Sequence, residues 1–141
     1  MAERKDDPLG IPDGTRLFRR VPPAQIVPDR IRGERRPSSQ CFVDSQDGSP
    51  MSVFAENVAQ CNGETPADFL QGRWSEFSLV AVTAGWMREN GQEVYLDPQN
   101  QDPNDFFRSH AAVAGPKGTK IRKRLAERYE WVVAPSNRFD L

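Results

Sequence analysis

Phe77-Ser78-Leu79-Val80-Ala81-Val82-Thr83-Ala84-Gly85-Trp86-Met87-Arg88-Glu89-Asn90-Gly91-Gln92-Glu93-Val94-Tyr95-Leu96 is the stretch on which the fold turns. Phe77 to Trp86 is the most apolar part of the chain. Phe77 to Ala81 reads as a buried strand or the start of a helix, because a short apolar run has no period that separates the two. Thr83 to Asn90 reads as a helix, with Gly91 in the C-terminal capping position. Glu93 to Leu96 reads as a strand: Val94 and Leu96 alternate with Glu93 and Tyr95, and Asp97-Pro98 stops it.

Toward the C-terminus, residues 97–105 (DPQNQDPND) form a polar loop. His110 to Ala114 follows as a strand, closed by Gly115-Pro116. Ile121, Leu125, Tyr129 and Val132 recur at intervals of four, four and three, which predicts one last helix with a single apolar stripe. Thr119 can cap it and Pro135 stops it.

Toward the N-terminus, Thr65-Pro66-Ala67-Asp68 is a helix start with a capping-box spacing, and the helix carries Phe69 and Leu70 to near Gly72. Gln40 to Asp44 and Met51 to Phe54 read as two strands of a hairpin around Asp47-Gly48, with Glu56 to Gln60 helical after them. Arg16 to Val21 is the first strand. Residues 22–39 are a long, polar, proline-rich connection, with at most a turn at Ala24 to Val27. Residues 1–15 carry mixed charge and repeated Pro and Gly, and read as a tail. The expected organisation is a tail over 1–15, one domain over 16–134 and a short tail over 135–141. The fold class is α+β, a small mixed or antiparallel sheet with about three helices packed on one face.

Composition narrows the function classes. The chain has 141 residues, 37% hydrophobic and 28% charged, which suits one domain with a modest core. Lys plus Arg is 19 and Asp plus Glu is 20, a net charge of −1, so a bulk polyanion binder is not expected and nucleic acid is not favoured as a partner. No apolar run is long enough to cross a membrane. Cys41 and Cys61 are the only cysteines, and the polar opening Met1 to Gly10 does not read as a signal peptide, so a reducing cytoplasm is expected. One His and two Cys fall short of the roughly four ligands of a zinc centre. No motif calls for a metal or another cofactor.

Three groups of residues could carry chemistry. Residues 115–124, Gly-Pro-Lys-Gly-Thr-Lys-Ile-Arg-Lys-Arg, place a glycine loop before a helix N-terminus, where free amides and the helix dipole favour an anion. Lys117, Gly118, Lys120 and Arg124 are the candidate anion-binding residues. The spacing is not that of a Walker loop. Arg30, Arg32, Arg35 and Arg36 form a second basic cluster; Arg35 and Arg36 would join the first if this segment packs near the last helix. Arg35-Arg36-Pro37-Ser38 also fits a basophilic kinase site. His110, the only histidine, is the candidate general base. Ser38, Ser39, Cys41 or Cys61 could act as nucleophile if the fold brings one close, and no nucleophile-elbow pattern surrounds any serine. Trp74 is the tryptophan most open to a partner, and Phe106-Phe107 cover a sheet edge or mark a contact surface.

Several runs, Leu17-Phe18-Arg19-Arg20-Val21, Arg36-Pro37-Ser38-Ser39 with Phe42, Thr83-Ala84-Gly85 with Arg88, Asp97-Pro98, and His110-Ala111 with Val113 and Gly115, resemble a family of small bacterial proteins of uncharacterised function, over about residues 16–133. That resemblance implies no activity. The opening strand is also similar to that of NAD-consuming RES-type ADP-ribosyltransferase-like toxins. This likeness implies Arg19 or Arg20 on the NAD phosphates, with Glu56 and Ser75 completing the site. The leading expectation is a non-enzymatic module that binds a protein partner or an anionic ligand (nucleotide, phosphate or nucleic acid) through Lys117 to Arg124. The alternative is an NAD-dependent transferase or other small enzyme using His110 or Arg19/Arg20. An enzyme should gather His110, an Arg and a carboxylate around one concave pocket.

Overall fold

Near-continuous apolar runs in the central strands build a sheet with a core on each face. In a computed structural model, which describes residues 10–29, 33–44 and 48–135, six strands form one antiparallel sheet: β1 (Arg16–Val21), β4 (Met51–Ala55), β5 (Ser78–Thr83), β6 (Glu93–Leu96), β7 (His110–Ala114) and β8 (Glu130–Val133). Their order is β6-β7-β4-β1-β5-β8. A separate hairpin pairs β2 (Ile26–Asp29) with β3 (Glu34–Pro37). The helices are α1 (Glu56–Cys61), α2 (Ala84–Glu89) and α3 (Thr119–Arg128). The chain is thus α+β with three helices packed against the sheet.

Successive strand residues face opposite sides. Leu17, Val53, Val80 and Val113 enter one cluster with Met87 of α2 and Leu125 of α3. Phe18, Phe54, Leu79 and Ala81 enter the other with Phe69. α1 serves both, with Val58 in the first and Ala59 in the second. The second face is closed mainly by a 3-10 turn, Pro66–Leu70, and by Phe107. Phe69 stacks on Phe54 at 4.2 Å between centroids, and Phe107 meets both rings edge-on.

The strand–helix–strand segment forms as its sequence predicts. The Thr83 hydroxyl caps α2 by accepting from the Trp86 amide at 3.2 Å. Gly91, at φ +84°, reverses the chain into β6 in a conformation that side chains disfavour. Arg16–Val21, Met51–Phe54, the helix after Ala55 and His110–Ala114 also form as expected.

Five expectations are corrected. The 22–39 connection is not structureless: it holds a 3-10 turn at Pro23–Gln25 and then the β2–β3 hairpin. Pro28 lies in β2 and Pro37 in β3, which a two-stranded ribbon tolerates because each strand keeps one open edge. Residues 40–44 are not a strand, since Ser39–Cys41 is a 3-10 turn that buries Cys41 and Phe42. β4 therefore has no hairpin partner there and pairs with β1 and β7. The Thr65–Asp68 capping pair exists, with the Thr65 amide and hydroxyl both donating to the Asp68 carboxylate, but it starts a five-residue 3-10 turn rather than a two-turn α-helix. The last helix stops at Arg128, and Glu130–Val133 turns into an edge strand on β5. Residues 10–15 are not all tail: Ile11 is buried, and the Asp13 and Thr15 carbonyls accept from the amides of Gly85 and Ala84. Residues 1–9, 30–32, 45–47 and 136–141, with Arg30, Arg32 and Asp47 among them, lie outside the described residues. Among the described residues no helix is long and apolar enough to cross a membrane.

Candidate functional site

The site begins with an interrupted ladder. β1 and β4 pair only at Leu17/Ala55 and Phe18/Phe54. Beyond Phe18, β1 keeps β5 as its partner while β4 keeps β7. Arg19 enters the gap. Its Nη1 donates to the Ser52 carbonyl at 2.8 Å, its Nε to the Cys41 carbonyl at 3.1 Å, and its Nη2 to the Val43 carbonyl at 3.5 Å. A guanidinium thus does for these carbonyls what a paired strand would otherwise do.

A cleft of about 450 Å³ opens over this gap. Its lining includes Arg19 and Arg20 of β1, Ser52 and Phe54 of β4, His110 of β7, Gln40, Arg73 and Trp74, and Asn100, Gln101, Asp102 and Asp105 of the loop before β7. That volume lies within the range of small-molecule sites. The enzyme criterion drawn from the sequence, His110 with an Arg and a carboxylate around one hollow, corresponds to His110, Arg20 and Asp105 here.

Each of these groups is held firmly. Arg20 donates through both Nη atoms to the Asp105 carboxylate, at 2.8 and 2.9 Å, and through Nε to the Phe69 carbonyl at 2.7 Å. Its guanidinium also lies 4.1 Å from the Trp74 ring centroid and 4.9 Å from that of Phe54. Arg20 therefore clamps the 102–107 loop to the sheet. Arg73 stands 4.3 Å from the Trp74 centroid and is exposed.

His110 is only 6% exposed. Its Nδ1 lies 2.6 Å from the Asp97 carbonyl oxygen, which can only accept, so Nδ1 carries the proton. The Asp97 amide donates back to the His110 carbonyl at 2.9 Å, which fixes both residues. Nε2 lies 3.1 Å from the Ser52 hydroxyl oxygen and, in the uncharged ring, is left as the acceptor. A serine hydroxyl, an imidazole and a carbonyl are thus in line, the orienting role falling to main chain instead of carboxylate.

The other sequence candidates lie elsewhere. The Lys117 side chain is only 4% exposed and turns inward: Nζ donates to the Asp44 carboxylate and the Val113 carbonyl, both at 2.7 Å, and to the Gly115 carbonyl at 3.1 Å. Gly118, Lys120 and Arg124 are exposed on the first turns of α3. The β2–β3 hairpin, with Arg35 and Arg36, docks at the opposite end of that helix, where Tyr129 and Trp131 both donate to the Arg35 carbonyl. Arg35 and Arg36, the described members of the second cluster, thus sit in a hairpin docked at the end of α3 away from Lys117 and Gly118. Ser38 caps the turn after it by accepting from the Gln40 amide. Glu56 is held by Arg16, at the other end of β1 from Arg20, and neither Glu56 nor Ser75 lines the cleft. The Arg16 guanidinium keeps the Glu56 carboxyl below the usual carboxylate range. Burial pushes the Cys41 thiol up, against the pull of Arg19. Trp74 is covered by guanidinium groups, and Phe106 is 49% exposed.

Sequence reasoning missed Ser52. Between Met51 and Val53 it reads as the outward residue of an alternating strand. The missing information is the β4–β7 register, Phe54 opposite His110 and Ser52 opposite Ala112, which puts Ser52 and His110 on one face as diagonal neighbours. Comparison of the chain with known family models, with curated proteins and with solved structures finds no match in any of the three.

Proposed function

We propose that this chain binds a small anionic organic molecule in the cleft between β1 and β4. The observation that carries this reading is the charge balance at the cleft. Arg20 is matched by Asp105, Arg19 donates to carbonyls alone, Arg73 faces an aromatic ring and Asp102 accepts from the Asn104 amide, so three guanidinium groups face two carboxylates and one positive charge is in excess. Carbonyls and rings orient a guanidinium without cancelling its charge. An anion entering the cleft would therefore meet a net positive potential from its lining. Gln40 adds an amide group suited to carboxylate, phosphate or hydroxyl oxygens, while the Asn100 and Gln101 amides hold the loop that walls the cleft. This reading keeps the anionic ligand expected from the sequence and moves its site away from the Lys117–Arg124 loop, where Lys117 has internal partners.

The test is isothermal calorimetry of the full chain against phosphate, nucleotides, NAD and aromatic carboxylates. Arg73→Ala should weaken the tightest of these by roughly tenfold, about 1.4 kcal/mol. The double variant Lys120→Ala, Arg124→Ala should leave the affinity unchanged. The reverse pattern would return the site to the N-terminus of α3.

A further inference from the structure

The geometry points to Ser52 as a nucleophile activated by His110, acting on the ester of a small acid or phenol that carries an anionic group. This deepens the proposed reading and rests on it, since the substrate is the molecule that the cleft takes. Three observations combine. The Ser52 hydroxyl and His110 Nε2 are 3.1 Å apart, within reach for proton transfer. The tautomer of the uncharged ring that leaves Nε2 as acceptor is selected from outside the pair, because Nδ1 is tied at 2.6 Å to a carbonyl that is itself fixed to His110. Both groups line a hollow large enough for a substrate. A hydroxyl and imidazole in a packed core would show the first two features and not the third.

The step balances within the pair and water. Ser52 Oγ attacks the ester carbonyl carbon as its proton passes to His110 Nε2. The tetrahedral oxyanion collapses, the bond to the alcohol oxygen breaks, and the leaving oxygen takes the proton from Nε2. Water then gives a proton to Nε2 and attacks the acyl carbon. Ser52 Oγ departs and takes that proton back. Arg19 is the fixed charge beside this reaction: its rigid guanidinium already holds the Ser52 carbonyl at 2.8 Å, and its charge favours a developing oxyanion in the cleft.

The experiment uses 4-acetoxybenzoate as the anionic ester, phenyl acetate as the neutral one, and 4-hydroxybenzoate as an unreactive binding probe. The full chain should release 4-hydroxybenzoate faster than phenol at equal ester concentration. Peptide mass spectrometry should find the acetyl group on Ser52. Ser52→Ala and His110→Gln should each slow release at least about a hundredfold. Circular dichroism checks that each variant is folded, and Ser52→Ala, a loss of one hydroxyl, decides the matter if His110→Gln does not fold. An acetyl group on another residue, or release undiminished in Ser52→Ala, overturns the proposal. If 4-hydroxybenzoate binds in calorimetry and no ester is cleaved, the nucleophile falls and the binding reading stands. If neither it nor the other anions bind, both fall.

Discussion

Arg19 and Arg20 are neighbours in sequence with two different tasks. Arg19 fills a break between strands through main-chain carbonyls, and Arg20 ties a loop to the sheet through a carboxylate. Replacing Arg20 by Met strands the Asp105 carboxylate, whose side chain is 22% exposed, without its partner. Denaturant unfolding should then show a loss of about 2–4 kcal/mol. Lys117 is similar in kind. Lys117→Met should cost about 1–3 kcal/mol by leaving the Val113 and Gly115 carbonyls unpaired, while affinity in the cleft is retained. Glu56 gives a pH dependence of known sign. Its carboxyl titrates lower when folded because Arg16 bonds to the ionised form. That contribution is present above the ordinary Glu value and is lost as pH falls through the lowered one. Melting temperatures measured from neutral pH downward should therefore fall less steeply in Glu56→Gln than in the parent.

At the level of elements, readings succeed where local chemistry is enough and fail where a partner decides. Thr83 and Gly91 bracket α2 through their own hydroxyl and their own backbone freedom; Gly91 acts as the sequence says, and Thr83, read as the first helical residue, is the cap just before it. Gly91→Ala forces a side chain into the left-handed region and should cost about 1–2 kcal/mol by thermal denaturation. The overextended last helix fails for the opposite reason. Tyr129 and Val132 fit a helical stripe by spacing, and no Gly or Pro stands between Arg128 and Glu130. Trp131, Val132 and Val133 are nevertheless strand-favouring residues, and β5 offers an open edge for them. The β2–β3 hairpin is harder still to read, because charged and proline residues hide its alternation. It is secured by Tyr129, which donates to Glu34 and to the Arg35 carbonyl.

For the whole molecule, the two cysteines report on burial by face. Cys61 is exposed at the end of α1, whereas Cys41 is buried and its thiol is held up by desolvation. Iodoacetamide should modify Cys61 in the native chain and Cys41 only on unfolding, which peptide mapping can follow; rapid native modification of Cys41 would contradict the packing of Phe42 and Cys41 beneath α3. The sequence by itself determined the strands β1, β4, β6 and β7, the helices α1 and α2, and the α+β class, because apolar patterning, caps and breakers act within a few residues; it left β5 open between strand and helix, since a short apolar run fits both. It also named His110 as a candidate, whereas Arg19 and Arg20 entered only through a resemblance and in another role. Only the tertiary structure decided that Ser52 meets His110, that Arg20 meets Asp105, and that Lys117 turns inward to Asp44. Those pairs span 58, 85 and 73 residues of chain. Contacts at such separations are fixed by strand order and register, which follow from how the two cores pack as a whole rather than from any local run of residues.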